Sequence, residues 1–222
     1  MGSNKPVIAI DGLSASGKGT LAKRLADRLD FAYLDTGMLY RAAGLMAKEA
    51  GVDLDDQKAL AAFAEHLDIK TLMEKTGSPN LRSDEAAQCA SKAGANPLLR
   101  AALLKFQQNF ARTPPDGKKG VVLDGRDIGT VIAPDATVKI FVTASIEKRA
   151  NRRFKELQAA GENVSEAAVL ADMLLRDERD STRDVAPTKP APDAVILDTT
   201  DMDAEAAFTA ALAIVETRLG NA

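Results

Sequence analysis

The chain reads as an α/β protein built on a parallel sheet of five strands flanked by helices. Three observations lead there. Five short apolar runs, "PVIAI", "FAYLD", "GVVLDG", "TVKIFVTA" and "DAVILDT", are each bounded by Gly, Asp or Pro. They alternate with helix-patterned stretches, as in βαβ units whose sheet is covered on both faces. The first run also passes straight into a glycine-rich turn and a helix, in "VIAIDGLSASGKGT" from Val7 to Thr20.

That turn is built to hold phosphate. Gly12, Gly17 and Lys18 satisfy the G-x-x-x-x-G-K spacing of a P-loop. Glycines let the backbone curl so that several N–H groups point inward, the helix adds its positive end, and the lysine bridges terminal phosphate oxygens. Gly12, Leu13, Ser14, Ala15, Ser16, Gly17, Lys18, Gly19 and Thr20 are therefore the expected binding residues for a nucleoside triphosphate. Most such loops carry Ser or Thr directly after the lysine to meet Mg²⁺. Here Gly19 takes that slot and the hydroxyl follows at Thr20, the candidate metal ligand. In this form, "GKGT" resembles nucleoside-monophosphate kinases such as adenylate kinase, and no "NKxD" guanine reader follows.

The remaining elements follow in order. After the second run, residues about 37–112 are mostly helical in pattern, with "LDIKTLMEKTGSPN" expected as a short irregular or β-like piece. "RTPPDGKKG" is a polar loop before the third strand, which ends in "DGRD". Residues about 146–183 form a charged helical hairpin turning near Gly161. "DAEAAFTAALAIVETRL" is an amphipathic closing helix with Asp203 as its N-cap. The expectation is one domain over 1–222, its core sheet carrying a helical insertion and a mobile flap.

Composition removes several alternatives. Net charge is −3 and aromatic residues are 4% of 222, so no basic field or stacking platform recruits nucleic acid. No apolar run approaches a membrane span, "MGSNKP" lacks the apolar core of a signal peptide, and Pro6 breaks the myristoylation pattern after Gly2. A cytoplasmic location is expected. Cys89 is the one cysteine and His66 the one histidine, which excludes an intrachain disulfide, a Cys-based zinc site and a His-rich metal site. Cys89 in "EAAQCASKA" reads as a small buried apolar residue, and His66 as a helix-surface one.

The remaining question is the phosphoryl acceptor. A hydroxyl acceptor needs a base, whereas a monophosphate is already anionic near neutral pH and needs cations. The chain supplies Arg41, Arg100, Arg126, Arg149, Arg152, Arg153, Arg176, Arg179 and Arg183. Ion pairs on a solvated helix face would account for some of the hairpin arginines. Arg126 and Asp127 sit instead at a strand's C-terminal edge, where α/β proteins bind ligands.

With these residues the chain resembles the bacterial cytidylate kinases over nearly its whole length. The motifs are "IDGLSASGKGT", "LDTGMLYR", "LRSDEAAQCAS", "NPLLRAALLKFQ", "DGRDIGTVIAPDA", "KRANRRFKEL", "RDERDSTRDVAP" and "DAVILDTT". The resemblance implies a P-loop kinase fold in which 37–112 is the monophosphate-binding insertion and 146–183 an arginine-rich lid. It implies ATP with Mg²⁺ as donor, CMP and dCMP as acceptors, and a monomer without nucleic-acid or membrane partners.

By the same resemblance, Thr36, Tyr40 and Arg41 lie near the acceptor, and Ser91, Arg100 and Asp127 read cytosine. Arg126 and Arg183 bind the acceptor phosphate, Arg176 and Asp180 the ribose, and Arg149, Arg152 and Arg153 close over ATP. Lys18, Arg126, Arg149, Arg153 and Arg183 carry catalysis. Chemistry independently supports the base reader: cytosine presents an exocyclic amine that Asp127 can accept from, while uracil turns an oxygen toward that carboxylate. Sites built on such bonds discriminate by up to about 10⁴–10⁵-fold. Three residues depart from the family pattern: Ala15 replaces a P-loop glycine, Met38 would narrow the acceptor mouth, and Gln108 stands where a "QR" pair is usual.

Overall fold

The computed structural model describes residues 5–220; the "MGSN" read above for targeting signals lies outside them. The strands fall on the five apolar runs: β1 (Val7–Gly12), β2 (Ala32–Asp35), β3 (Val121–Gly125), β4 (Val138–Thr143) and β5 (Val195–Asp198). They form one parallel sheet in the order β2-β3-β1-β4-β5. β1 is central, with Ile8 opposite both Val122 and Val138. The strand-to-strand path changes direction beside β1, which opens a crevice at the C-terminal strand ends.

Side chains alternate across the pleat and feed two cores. Ile8, Ile10, Val122, Val138, Ile140 and Val142 pack on one face with Leu21 and Leu25 of α1 (Lys18–Leu29) and Ala211 and Val215 of α9 (Ala204–Gly220). Ala9, Leu34, Val121 and Leu123 face the other core, with Leu39 of α2 (Thr36–Glu49) and Leu99 and Leu103 of α6 (Pro97–Arg112). Between α2 and α6 the chain adds α3 (Gln57–Glu65) and α5 (Asp84–Ala93). Gly44 of α2 lies so close to α5 that a β-carbon would sit 2.7 Å from the Cys89 carbonyl. Cys89 is buried, as its sequence setting suggests, and His66 is exposed at the end of α3.

The stretch expected to be irregular or β-like is helical. It forms α4 (Ile69–Lys75) and then a 3₁₀ turn over Pro79–Arg82. Asp68 supplies the missed start signal, its carboxylate accepting from the N–H groups of Lys70 and Thr71. Burying Leu72 and Leu81 against the α2-side core stabilises the helical form over the irregular or β-like one expected.

The charged hairpin is α7 (Ile146–Ala159) and α8 (Glu166–Thr182), with Gly161 at φ 83° in the connection. It has its own small core of Ala150, Leu157, Val169 and Met173, against which Ala15 of the glycine-rich loop also packs. Asp203 caps α9, accepting from the Ala206 N–H at 2.8 Å. Among the described residues no helix is long and apolar enough to cross a membrane.

Since a methyl group at residue 44 meets backbone rather than a flexible side chain, Gly44→Ala must push α2 from α5. Thermal unfolding should show a loss of about 1–3 kcal/mol, the usual cost of overpacking.

Candidate active site

The glycine-rich loop owes its shape to a few backbone positions. A β-carbon on Gly12 would lie 2.1 Å from the Val142 carbonyl oxygen, so only glycine fits beside β4. Gly17 at φ 88° turns the chain into α1, and Ala15 holds the left-handed region at φ 55° despite its β-carbon. The loop is braced from outside. Thr199, after β5, donates its hydroxyl at 3.1 Å to the Ser16 carbonyl, which also accepts from Arg152 at 3.5 Å. Arg149 donates to the Ser14 carbonyl at 3.3 Å and to Ala144 at 2.9 Å, and pairs with Asp177 at 2.6 Å. Arg149 and Arg152 therefore stand behind the loop, engaged by protein groups. The Ser16 hydroxyl is buried without a partner among the described residues.

In front of the loop, cations converge. Lys18 begins α1 with its Nζ 3.8 Å from Asp124 Oδ1 at the end of β3. Burial, with Arg126 nearby, pushes the Lys18 ammonium down to about 8. Burial pushes the Asp124 carboxyl up to about 6, against the pull of Lys18. Arg41 is driven down to about 10 by burial and by Arg153, and Arg176 to about 9 by burial and by Arg126. These shifts record like charges gathered in a dry place. Arg41 donates to the Leu81 carbonyl at 2.6 Å, and Arg153 reaches Asp84 at 3.5 Å, so α2, α5 and α7 all contribute. Arg176 Nε, Arg179 Nη1 and Arg183 Nη2 are buried donors with no hydrogen-bond partner among the described residues.

Beside this cluster lies a second set of polar groups. Arg100 of α6 pairs with Asp127, both buried, and stands over the Tyr40 ring at 5.2 Å. Arg183 Nη2 lies 4.0 Å from the other Asp127 oxygen. The Ser91 hydroxyl of α5 donates to Asp180 of α8 at 2.8 Å, and Arg126 and Arg176 approach the same carboxylate at 3.6 and 3.8 Å. Burial raises the Asp180 carboxyl, but Arg176, Arg126 and the Ser91 hydrogen bond more than offset it, leaving it below its ordinary value. Thr36 donates to the Asp124 carbonyl at 2.8 Å, turned onto the β3 end. Met38 packs against the α2-side core. Thr36, Tyr40, Arg41, Ser91, Arg100, Arg126, Asp127, Arg153, Arg176, Asp180 and Arg183 are joined around this crevice by the contacts above, Arg149 and Arg152 brace the loop from outside, and Thr20 is exposed.

Three residues of the site escaped sequence reasoning: Asp11, Asp124 and Thr199. The Arg149–Asp177 contact is one of the ion pairs expected for the hairpin arginines. Only Asp124 carried a usable signal, an acidic residue closing an apolar strand. It also bears on metal binding. One Asp124 oxygen has no hydrogen-bond partner, and a β-carbon at residue 19 would come within 3.1 Å of the other, so Gly19 leaves room beside the carboxylate. Among the described residues no three His, Cys, Asp or Glu groups gather to hold a metal. One carboxylate and open space suit Mg²⁺ held largely through water.

A parallel sheet of order β2-β3-β1-β4-β5, with a P-loop after its central strand and arginines facing the loop lysine, defines a P-loop phosphotransferase. The cytidylate kinase family profile matches residues 8–217. Cytidylate kinases of Paramagnetospirillum magneticum and Rhodospirillum rubrum are each 57% identical over 209 residues, 94% of this chain. The match spans 97% and 96% of those proteins, respectively. The chain belongs to the cytidylate kinase family. An uncharacterized protein from Eubacterium ventriosum, of known structure, shares the fold at a TM-score of 0.50 and 14% identity, covering 97% of this chain and 99% of its own.

The depressed Lys18 value gives a testable sign. A triphosphate beside the ammonium favours its charged form, so ATP binding at pH 8 should take up protons, by about half a proton per site from this group. Near pH 6, where Lys18 is already charged, that uptake should vanish. Titration calorimetry in buffers of differing ionisation enthalpy measures both.

Proposed function

We propose that the protein transfers the γ-phosphoryl group of ATP to CMP, and also to dCMP, giving CDP or dCDP and ADP. The observation that carries this reading is the juxtaposition of the buried Arg100–Asp127 and Ser91–Asp180 pairs with the arginine cluster facing Lys18. One set suits a polar base and sugar, the other two polyanions.

The loop from Gly12 to Thr20 grips the ATP phosphates, with Lys18 toward the terminal ones. Arg41, Arg126 and Arg183 receive the acceptor phosphate and screen it from the donor. An oxygen of that phosphate attacks the γ-phosphorus in line. The new P–O bond forms as the bond to the β,γ-bridging oxygen breaks, and ADP departs with the electron pair. An arginine acting on the transferring group is worth about 10³–10⁵ in rate in P-loop enzymes; Arg153, engaged only through long contacts at 3.4–3.5 Å, is placed to swing into that role. Mg²⁺ would neutralise charge on the donor phosphates, held from Asp124 through water and, on the sequence reading, from Thr20. Arg149 and Arg152 serve ATP through the loop they brace.

Asp127 accepts from the cytosine amine once Arg100 shares it, and Arg100 donates to the ring. Asp180, with Arg176, takes a ribose hydroxyl, while Tyr40 and Thr36 line the approach. Residues 37–112 receive the monophosphate, and the hairpin within 146–183 closes as a lid that excludes water. We take it to act as a cytoplasmic monomer, with a part in pyrimidine nucleotide metabolism that membership of the family supports.

Steady-state kinetics with CMP, dCMP, UMP and AMP test this reading. CMP should be the preferred ribonucleotide, and Asp127→Ala should lower kcat/KM for CMP by at least about 100-fold while erasing most discrimination against UMP. UMP or AMP turned over faster than CMP would displace the substrate assignment. Asp124→Asn should lower kcat and raise the Mg²⁺ concentration needed for half-maximal rate, leaving KM for CMP within about twofold.

A further inference from the structure

Asp127 occupies an unusual local position. It is the N-cap of the short π-helical turn Ile128–Ile132, with its own carbonyl accepting from the N–H groups of Val131 and Ile132. An aspartate in that position ordinarily folds its carboxylate back onto the first free amides of the turn. Asp127 makes no such bond. Its carboxylate faces the other way, onto Arg100 and toward Arg183.

Two of these amides are already taken. Asp11, the last side chain before the first loop glycine, accepts from the Ile128 N–H at 2.7 Å through Oδ1 and from the Gly129 N–H at 2.8 Å through Oδ2. The carboxylate comes from another strand, 117 and 118 residues away, and is only 4% exposed. A β-carbon at residue 129 would lie at ordinary contact distance, 3.4 Å, from Asp11 Oδ2 and 3.2 Å from the stem of Lys139, so the carboxylate packs closely over the turn. The Ile128 side chain is fully buried, so the turn is pinned on both sides.

We propose that Asp11 is a positioning residue for acceptor recognition: it caps the turn in place of Asp127 and so leaves the Asp127 carboxylate free for the base. The inference rests on the reading that Asp127 meets cytosine. Asp11 precedes Gly12 directly, so the same residue ties the phosphate loop to the base-reading turn, and donor and acceptor subsites share one anchor. Without two acceptors at residue 11, the Ile128 and Gly129 amides are left short of partners in a dry interior. The Asp127 carboxylate, at the N-cap of the same turn, is then drawn to take their place, and to do so it must leave Arg100.

Asp11→Asn is the direct test, because the amide keeps the shape, retains one acceptor and turns an NH₂ group against the other N–H. Its crystal structure should show the Asp127 carboxylate rotated from Arg100 toward the turn amides; an unmoved Arg100–Asp127 pair would overturn the proposal. In kinetics, Asp11→Asn should reduce CMP-over-UMP discrimination by roughly tenfold, with KM for ATP changed less than about twofold. In an Asp127→Ala background the same substitution should leave discrimination unaltered, since it acts through Asp127. Additive losses, or equal rises in both KM values, would reduce Asp11 to a stability role. If Asp11→Asn does not fold, Asp11→Ser goes through the same comparisons. Should the wild type show no preference for CMP over UMP, the base-reading assignment fails, and the crystal structure alone decides whether Asp11 holds Asp127 outward.

Discussion

Burying more cations than the protein can pair is the constraint around which this molecule is arranged. Lys18, Arg41, Arg126 and Arg176 come together at the strand ends with Arg153 near them, facing the carboxylates of Asp35, Asp84, Asp124 and Asp180. Taking such groups from water is costly unless oxygen atoms replace the lost hydration. The fold supplies backbone carbonyls for part of that need: Leu81 for Arg41, Gly125 for Arg126, and Gly94 for Arg100 and Arg183. The remainder is left unmet, as the unpartnered donors of Arg176, Arg179 and Arg183 record. A site in that condition favours anions before any specific contact is counted.

The sheet makes the arrangement possible. Parallel strands end together on one edge, so Asp11, Asp124 and the loop after β5 arrive side by side though far apart in the chain. The loop that meets phosphate is thus held from three directions, by Thr199 and by two arginines of α7. Those arginines act as masonry for the loop, while Arg153, one residue further along, faces the cleft. Neighbouring residues of one helix divide the work because successive side chains point in different directions around its axis.

The acceptor half draws its groups from α5, α6, α8 and the turn after β3. Paired charges there are mutually satisfied, Arg100 with Asp127 and Ser91 with Asp180, in contrast to the unmet charge beside them. That contrast is physically useful. A preformed polar lattice imposes a cost on any base that reverses its donors and acceptors, whereas an excess of arginine serves any phosphate. On the proposed function, specificity and electrostatic catalysis fall in adjacent but chemically different surroundings.

Local chemistry made much of this visible before any coordinates. All five strands, the loop from Gly12 to Thr20, the hairpin turn near Gly161 and the Asp203 cap follow from short-range patterns of apolar, glycine and capping residues, which act within a few positions of themselves. The helix at Ile69–Lys75 was misread because its stabilisation comes from Leu72 reaching a distant core rather than from its own propensities. The site divides in the same way. Residue types and motif order pointed to the side chains proposed for it, but not to which arginines face the cleft and which brace the loop, nor to the parts played by Asp11, Asp124 and Thr199. Charge, burial and hydrogen-bond pairing are properties of neighbourhoods, and here the neighbours come from elements 27 to 183 residues apart. Only the folded sheet brings them within reach of one another.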